Sequence, residues 1–208
     1  MPPSRMFSFL SSLAFVLLAS VPVIAGEDAT LILGWPLVSN AIGDAAYGTN
    51  TWNQQQSAKA ELSAGLEYRH WFSEHSGIQF DYNRTGTDAT FTSLSFNASL
   101  NYRVTRHEIS GAFVRKLSRP ETRLRPFFVA GPGVLLFDGG YALGNKVGWA
   151  SAPEFVFGGG IDTSITKRLS VRTAFRFHLF RNPNFGDPNF HPGFAHMQQP
   201  VIGLTSSF

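Results

Sequence analysis

The sequence predicts an all-β chain closed into one eight-stranded, antiparallel, up-and-down β-barrel, and three observations carry that expectation. Apolar and polar residues alternate over most of the chain after residue 25, the pattern of strands with one apolar and one polar face. Nothing in the same region keeps a 3.6-residue apolar period or a heptad. The connections towards the C-terminus run long, short, long, as they do when hairpins join strands alternately at two unlike ends.

The clearest alternation sets Leu94, Phe96, Ala98, Leu100, Tyr102 and Val104 against Ser93, Ser95, Asn97, Ser99, Asn101 and Arg103. Upstream, Ala60, Leu62, Ala64, Leu66 and Tyr68 alternate with Lys59, Glu61, Ser63, Gly65, Glu67 and Arg69, and Ile78, Phe80 and Tyr82 alternate with Gln79, Asp81 and Asn83. Downstream, Phe155, Phe157, Gly159 and Ile161 oppose Gly158, Gly160 and Asp162. Leu169, Val171, Thr173, Phe175, Phe177 and Leu179 oppose Ser170, Arg172, Ala174, Arg176 and His178, and Ile202, Leu204 and Phe208 mark a last strand. Segments 108–117 and 125–137 are less regular. Gly131-Pro132-Gly133 predicts a bulge or kink in the second, because proline cannot donate to a ladder.

Two strand counts both reach eight. One begins at 58–71 and separates 91–104 from 108–117; the other begins at 30–38 and fuses 91–117 into one long strand. The second places every long connection (39–57, the tip near 85–91, 138–154 and 181–195) at the same end, and that asymmetry favours it.

The N-terminus carries Arg5, then an almost wholly apolar run to Val23, then Val23-Ile24-Ala25, with small residues where signal peptidase reads them. A signal peptide over 1–25, cleaved after Ala25, is expected to leave a single domain at 26–208. Pro22 and the lack of a basic flank argue against a membrane-spanning helix here. Export would permit disulfides, yet the chain has no cysteine, so closure must come from backbone pairing and packing. The 17 Lys and Arg outnumber the 14 Asp and Glu only slightly and are scattered singly, which does not fit a nucleic-acid surface.

Alternation alone does not say which face looks outward. A soluble carrier barrel turns its apolar face in, and a membrane barrel turns it to lipid. Here the polar faces hold glycine, serine and both signs of charge, which suits a narrow packed interior. Aromatic residues (Tyr68, Trp71, Phe72, Tyr82, Tyr102, Phe155, Phe180) gather near strand ends like an interfacial girdle, and Phe208 falls within a strand pattern. Lipid outside is the expectation.

Arg125-Pro126-Phe127-Phe128-Val129-Ala130-Gly131, Phe157-Gly158-Gly159-Gly160-Ile161-Asp162 and Lys167-Arg168-Leu169-Ser170-Val171-Arg172 are segments of a recognisable kind. In their order, over about 58–208, the chain resembles the small outer-membrane β-barrel proteins, the OmpA- and OmpX-like group. The resemblance implies the outer membrane of a Gram-negative bacterium, with its lipid and lipopolysaccharide as surroundings. It also implies that the barrel-insertion machinery reads Gly203, Leu204 and the terminal Phe208, although Ser206 stands where that signal usually has a hydrophobe. No catalytic residue comes with it, and a monomer is expected.

Glu61, Glu67, Arg69, Asp81, Arg103, Asp162, Arg172 and Arg176 form the polar set expected inside, because an Arg or Lys facing the bilayer midplane costs about 2–4 kcal/mol. An eight-stranded interior has room for side chains but hardly for a channel. A mutually paired plug follows, with a structural, envelope-stabilising or surface-binding role; a narrow path for small solutes is the alternative. His70, His75, His178, His191 and His196 match no zinc spacing, so neither a metal nor a cofactor site is expected. Glu74-His75-Ser76 has the residue types of a nucleophilic relay, but three consecutive turn residues splay apart, so a lipid A-modifying enzyme is not expected either. Gly158-Gly159-Gly160 precedes no helix and reads as small residues easing a crowded wall rather than a phosphate loop. Loops 138–154 and 181–195 carry Tyr141, Trp149, Phe185, Phe190 and Phe194, suited to an extracellular ligand or to packing on one another and on the sugar layer.

Overall fold

The computed structural model describes residues 26–207 other than 40, 48–49, 60, 94–97, 119–121, 140, 143–144, 147, 184–189 and 192. The expected signal peptide with its cleavage site, Phe185 and Phe208 lie outside the described residues. Eight strands make the barrel: β1 Glu27–Gly34, β2 Ser63–Trp71, β3 Ser76–Ser93, β4 Ala98–Lys116, β5 Leu124–Asp138, β6 Trp149–Ser164, β7 Leu169–Arg181 and β8 Phe194–Ser207. Each pairs antiparallel with its sequence neighbours, and β1 also pairs with β8 from Asp28 with Ser207 to Gly34 with Val201. The cylinder is therefore closed, and its backbone groups bond between strands, as a non-helical span through lipid requires.

The strand count is the one that begins early. The first strand lies at 27–34 and β4 runs unbroken over 98–116, but the expected tip at 85–91 is strand: β3 continues to Ser93 paired with β4, and the turn falls between Ser93 and Ala98. Short connections (72–75, 117–123, 165–168) share one end, and the longer ones (35–62, 139–148, 182–193) share the other with the β3–β4 tip. The first long connection is itself structured: 41–47 pairs with 50–56, residues 54–58 continue onto the end of β3, and Phe190 and His191 join Ala45 and Asp44. A β-extension thus rises above the long-loop end, which is the extracellular end in outer-membrane barrels.

No bulge forms at Gly131-Pro132-Gly133. The β4–β5 register is the same before and after Pro132, and the β5–β6 ladder passes through Phe155 opposite Pro132 without an inserted residue. Proline is tolerated because the glycine beside it lets the wall close up. A Cβ at Gly131 would lie 2.2 Å from the Gly111 carbonyl oxygen, so only glycine permits that approach. The same holds at Gly158, where a Cβ would lie 2.4 Å from the Phe175 carbonyl oxygen. The triple glycine eases a crowded wall, as its composition suggests.

In the spanning part the apolar faces look outward. Leu66, Phe80, Ile109, Phe128, Ile161, Phe175, Ile202 and Leu204 are exposed on the wall, and Phe157 and Phe177 stack there at 5.3 Å with Phe175 edge-on at 5.0 Å. So large an apolar surface needs lipid as its solvent. Near the long-loop end the faces reverse. Val104 points inward and is buried, with Leu135, Phe137, Ala152, Phe180, Ala195 and Met197, in an apolar cluster that fills the mouth. Strands of 18 and 19 residues, β3 and β4, overshoot the roughly 10 needed to cross. Above the lipid, water is outside, so apolar side chains turn in.

Candidate functional site

The lumen is built in layers, each set by which inward position of each strand reaches it. At the short-turn end Ala112, Val114, Phe127 and Val129 form an apolar floor against which Trp71 packs. The Trp71 indole N–H donates to Asp28 (2.7 Å), and the Lys116 ammonium lies 3.6 Å from the ring centroid. Trp71, expected in the outer girdle, therefore plugs the lumen, and Phe180 likewise points in; Tyr68, Tyr82 and Phe155 do face outward.

Above the floor lies a belt of ion pairs. Arg172 donates from Nε to Asp162 Oδ1 (2.7 Å), from Nη2 to Asp162 Oδ2 (3.0 Å) and from Nη1 to Thr30 Oγ1 (3.0 Å), and it also pairs with Glu67. Arg69 donates to Asp162 Oδ2 (3.2 Å) and to Gln79 Oε1 (2.6 Å), with its guanidinium 4.0 Å from the Phe127 ring centroid. Arg176 pairs with Glu67 and donates to Asp81 Oδ1 (3.1 Å), which also accepts from Gln79; Ser110 donates to the other Asp81 oxygen (3.1 Å). Six of the eight predicted interior residues (Glu67, Arg69, Asp81, Asp162, Arg172 and Arg176) thus meet in one buried network.

The other two do not. Glu61 and Arg103 pair at 3.6 Å on the long-loop rim, and the Arg103 side chain is 70 % exposed. The face reversal explains this: Arg103 shares the β4 face of Ser99 and Asn101, which looks to water once the strand has left the lipid. Of the proposed assembly signature, Leu204 faces outward opposite Leu31, and Gly203 lies tight against Thr30 and Leu31 in the closing seam, where a Cβ would come 2.8 Å from the Leu31 oxygen. Glu74 and His75 fall in the turn between β2 and β3, and Ser76 opens β3.

A third layer, on the long-loop side of the belt, was not legible from the sequence. Glu108 of β4, Glu154 of β6 and His178 of β7 point inward and are buried, with one ligand atom from each lying within 4.8 Å of the others. His178 Nδ1 is 3.0 Å from Glu154 Oε2 and 3.8 Å from Glu108 Oε1. Gly133 of β5 makes the space: a Cβ there would meet Glu154 Oε1 at 2.7 Å. His178 is therefore a core residue, not a loop or turn histidine. Over this layer Arg106, Val104, Phe137 and Phe180 form the base of a small pocket of about 50 Å³, walled also by Val38, Ala58, Thr87 and Ala89 at the long-loop end.

Trp149 and Phe194, expected on loops, open β6 and β8 instead; both are strongly exposed, and the Trp149 ring lies 5.8 Å from that of His107, which in turn bonds the Tyr82 hydroxyl at 2.9 Å. The side chains of Tyr141 and Phe190 are not among those described.

No family model matches the sequence, and no curated protein matches it. Solved structures do. Neisserial surface protein A superimposes with a TM-score of 0.59 at 9 % identity, covering 88 % of this chain and 98 % of its own. The outer membrane protein OprG from Pseudomonas aeruginosa gives 0.58 at 11 % identity over 88 % and 96 %. The outer membrane protease OmpT from Escherichia coli gives 0.55 at 7 % identity over 88 % and 96 %. With its closed eight-strand cylinder, lipid-facing apolar wall and charged lumen, the chain has the fold of the small outer-membrane β-barrels, the OmpA- and OmpX-like class.

Proposed function

We propose that this barrel is a non-conducting, non-enzymatic outer-membrane scaffold that stabilises the envelope and offers its extracellular end as a binding surface. The observation that carries this reading is the filled lumen: a belt of mutually paired buried charges lies between an apolar floor and an apolar mouth. Ions crossing it would have to break several buried pairs at once, at a few kcal/mol each. The loops over 139–148 and 182–193 and the hairpin over 41–58 supply the surface, with Trp149 and Phe194 as exposed aromatic anchors on a rigid base.

Biogenesis completes the proposal. The segment 1–25 is removed by signal peptidase, the barrel-assembly machinery recognises the end of β8 through Gly203, Leu204 and Phe208, and the product is a monomer in lipid and lipopolysaccharide. The test is conductance in planar bilayers. The wild type should give no steady current, and a steady, ion-selective current would replace the scaffold reading with that of a narrow solute channel.

A further inference from the structure

We propose that Glu108, Glu154 and His178 form a binding site for one divalent transition-metal ion inside the barrel, reached from the extracellular pocket. Three strands deliver three donors of the right kind, one imidazole nitrogen and two carboxylate oxygens. The separations of 3.0 and 3.8 Å between His178 Nδ1 and the nearest carboxylate oxygens bracket the roughly 3.3 Å that tetrahedral bonds of about 2.0 Å require.

Two further observations point to an occupant. Glu108 is 1 % exposed, yet neither of its carboxylate oxygens has a hydrogen-bond partner, and Glu154 Oε1 is also without one. Buried polar atoms left this way are costly unless a ligand satisfies them. The three lower acids (Glu67, Asp81 and Asp162) are engaged by Arg69, Arg172 and Arg176, and Arg176 reaches Glu108 only at 4.0 Å, so Glu108 is the least engaged of these acids.

The base of the pocket lies close to the site. Arg106 and Phe180 at the pocket base sit two residues from Glu108 and His178 on the same inward faces, one step of about 7 Å along each strand. Arg106 is the cation that competes for the same carboxylates, since its charge acts on both Glu108 and Glu154, and it borders the pocket.

The experiment uses untagged, folded full-length barrel in detergent, stripped with chelator, loaded with Zn²⁺ and desalted. The expected result is one zinc retained per barrel, with an X-ray absorption spectrum fitted by one imidazole and carboxylate oxygens. E154Q and H178Q should lose about tenfold or more in zinc affinity, and R106Q should gain, by removing the competitor. Folding of each variant is read from its fast migration on an unboiled gel. Failure to retain zinc would overturn the site. So would a spectrum with two or more imidazoles, which would place the metal on surface histidines, or unchanged affinity in folded E154Q and H178Q. If those variants do not fold, the wild-type spectrum alone decides.

Discussion

Arg172→Met tests the belt where it is most connected. Arg172 is fully buried, makes two bonds to Asp162 and one to Thr30, and pairs with Glu67. Methionine keeps most of the volume, so the change removes charge and hydrogen bonds rather than opening a large cavity. Breaking a buried pair costs about 3–5 kcal/mol, because the surviving charge stays buried. Asp162 would keep Arg69, and Glu67 would keep Arg176, so the expected loss lies near the lower end, about 3 kcal/mol. The assay is urea unfolding of the refolded barrel in detergent, followed by tryptophan fluorescence and by the unboiled gel. Arg103→Ala serves as the reference, since that rim pair is mostly exposed and should change stability by no more than about 0.5 kcal/mol. If Arg172→Met and Arg103→Ala proved equally mild, the claim that the lumen is held by paired buried charge would be refuted.

Three other outcomes are expected. The folded protein should migrate faster unboiled than boiled, because a closed ladder resists detergent at room temperature; identical migration of protein from native membranes would contradict closure. Gly158→Val should cost about 1–3 kcal/mol or prevent assembly, since its Cβ would lie 2.4 Å from the Phe175 carbonyl oxygen, and normal urea stability would show that the wall has slack there. Phe157→Arg, on the outer wall, should cost about 2–4 kcal/mol in lipid, and a neutral effect would mean that this face is not in the bilayer.

The architecture was legible because period-2 alternation survives in the sequence wherever lipid lies on one side and charge on the other, as along 63–71 and 169–179. Loop lengths then selected between the two strand counts. Three things were not legible. The reversal of faces at Val104 and Arg103 depends on where the strand leaves the membrane, and alternation looks the same on both sides of that boundary. The unshifted register of β5 past Pro132 depends on the close approach of Gly131 to Gly111 across strands, which local proline chemistry does not reveal. Glu154 follows Pro153 in a stretch that composition assigns to a loop, and Glu108 opens an irregular segment. Their meeting with His178 is a product of register alone.

Register also explains why the belt is charged at all. Replacing buried ion pairs by apolar residues often costs nothing in stability, so pairing by itself is weak grounds for keeping them. A barrel strand, however, can slip by one residue without losing its ladder, and such a slip turns every side chain to the opposite face. In β7 a slip would put Arg172 and Arg176 into lipid at about 2–4 kcal/mol each, while Asp162 and Glu67 would lose their partners. An apolar lumen would carry no such penalty, because its residues would be as content in lipid as inside. The belt therefore penalises each misregistered closure by several kcal/mol more than an uncharged core could. The same register brings Glu108, Glu154 and His178 to one level of the lumen.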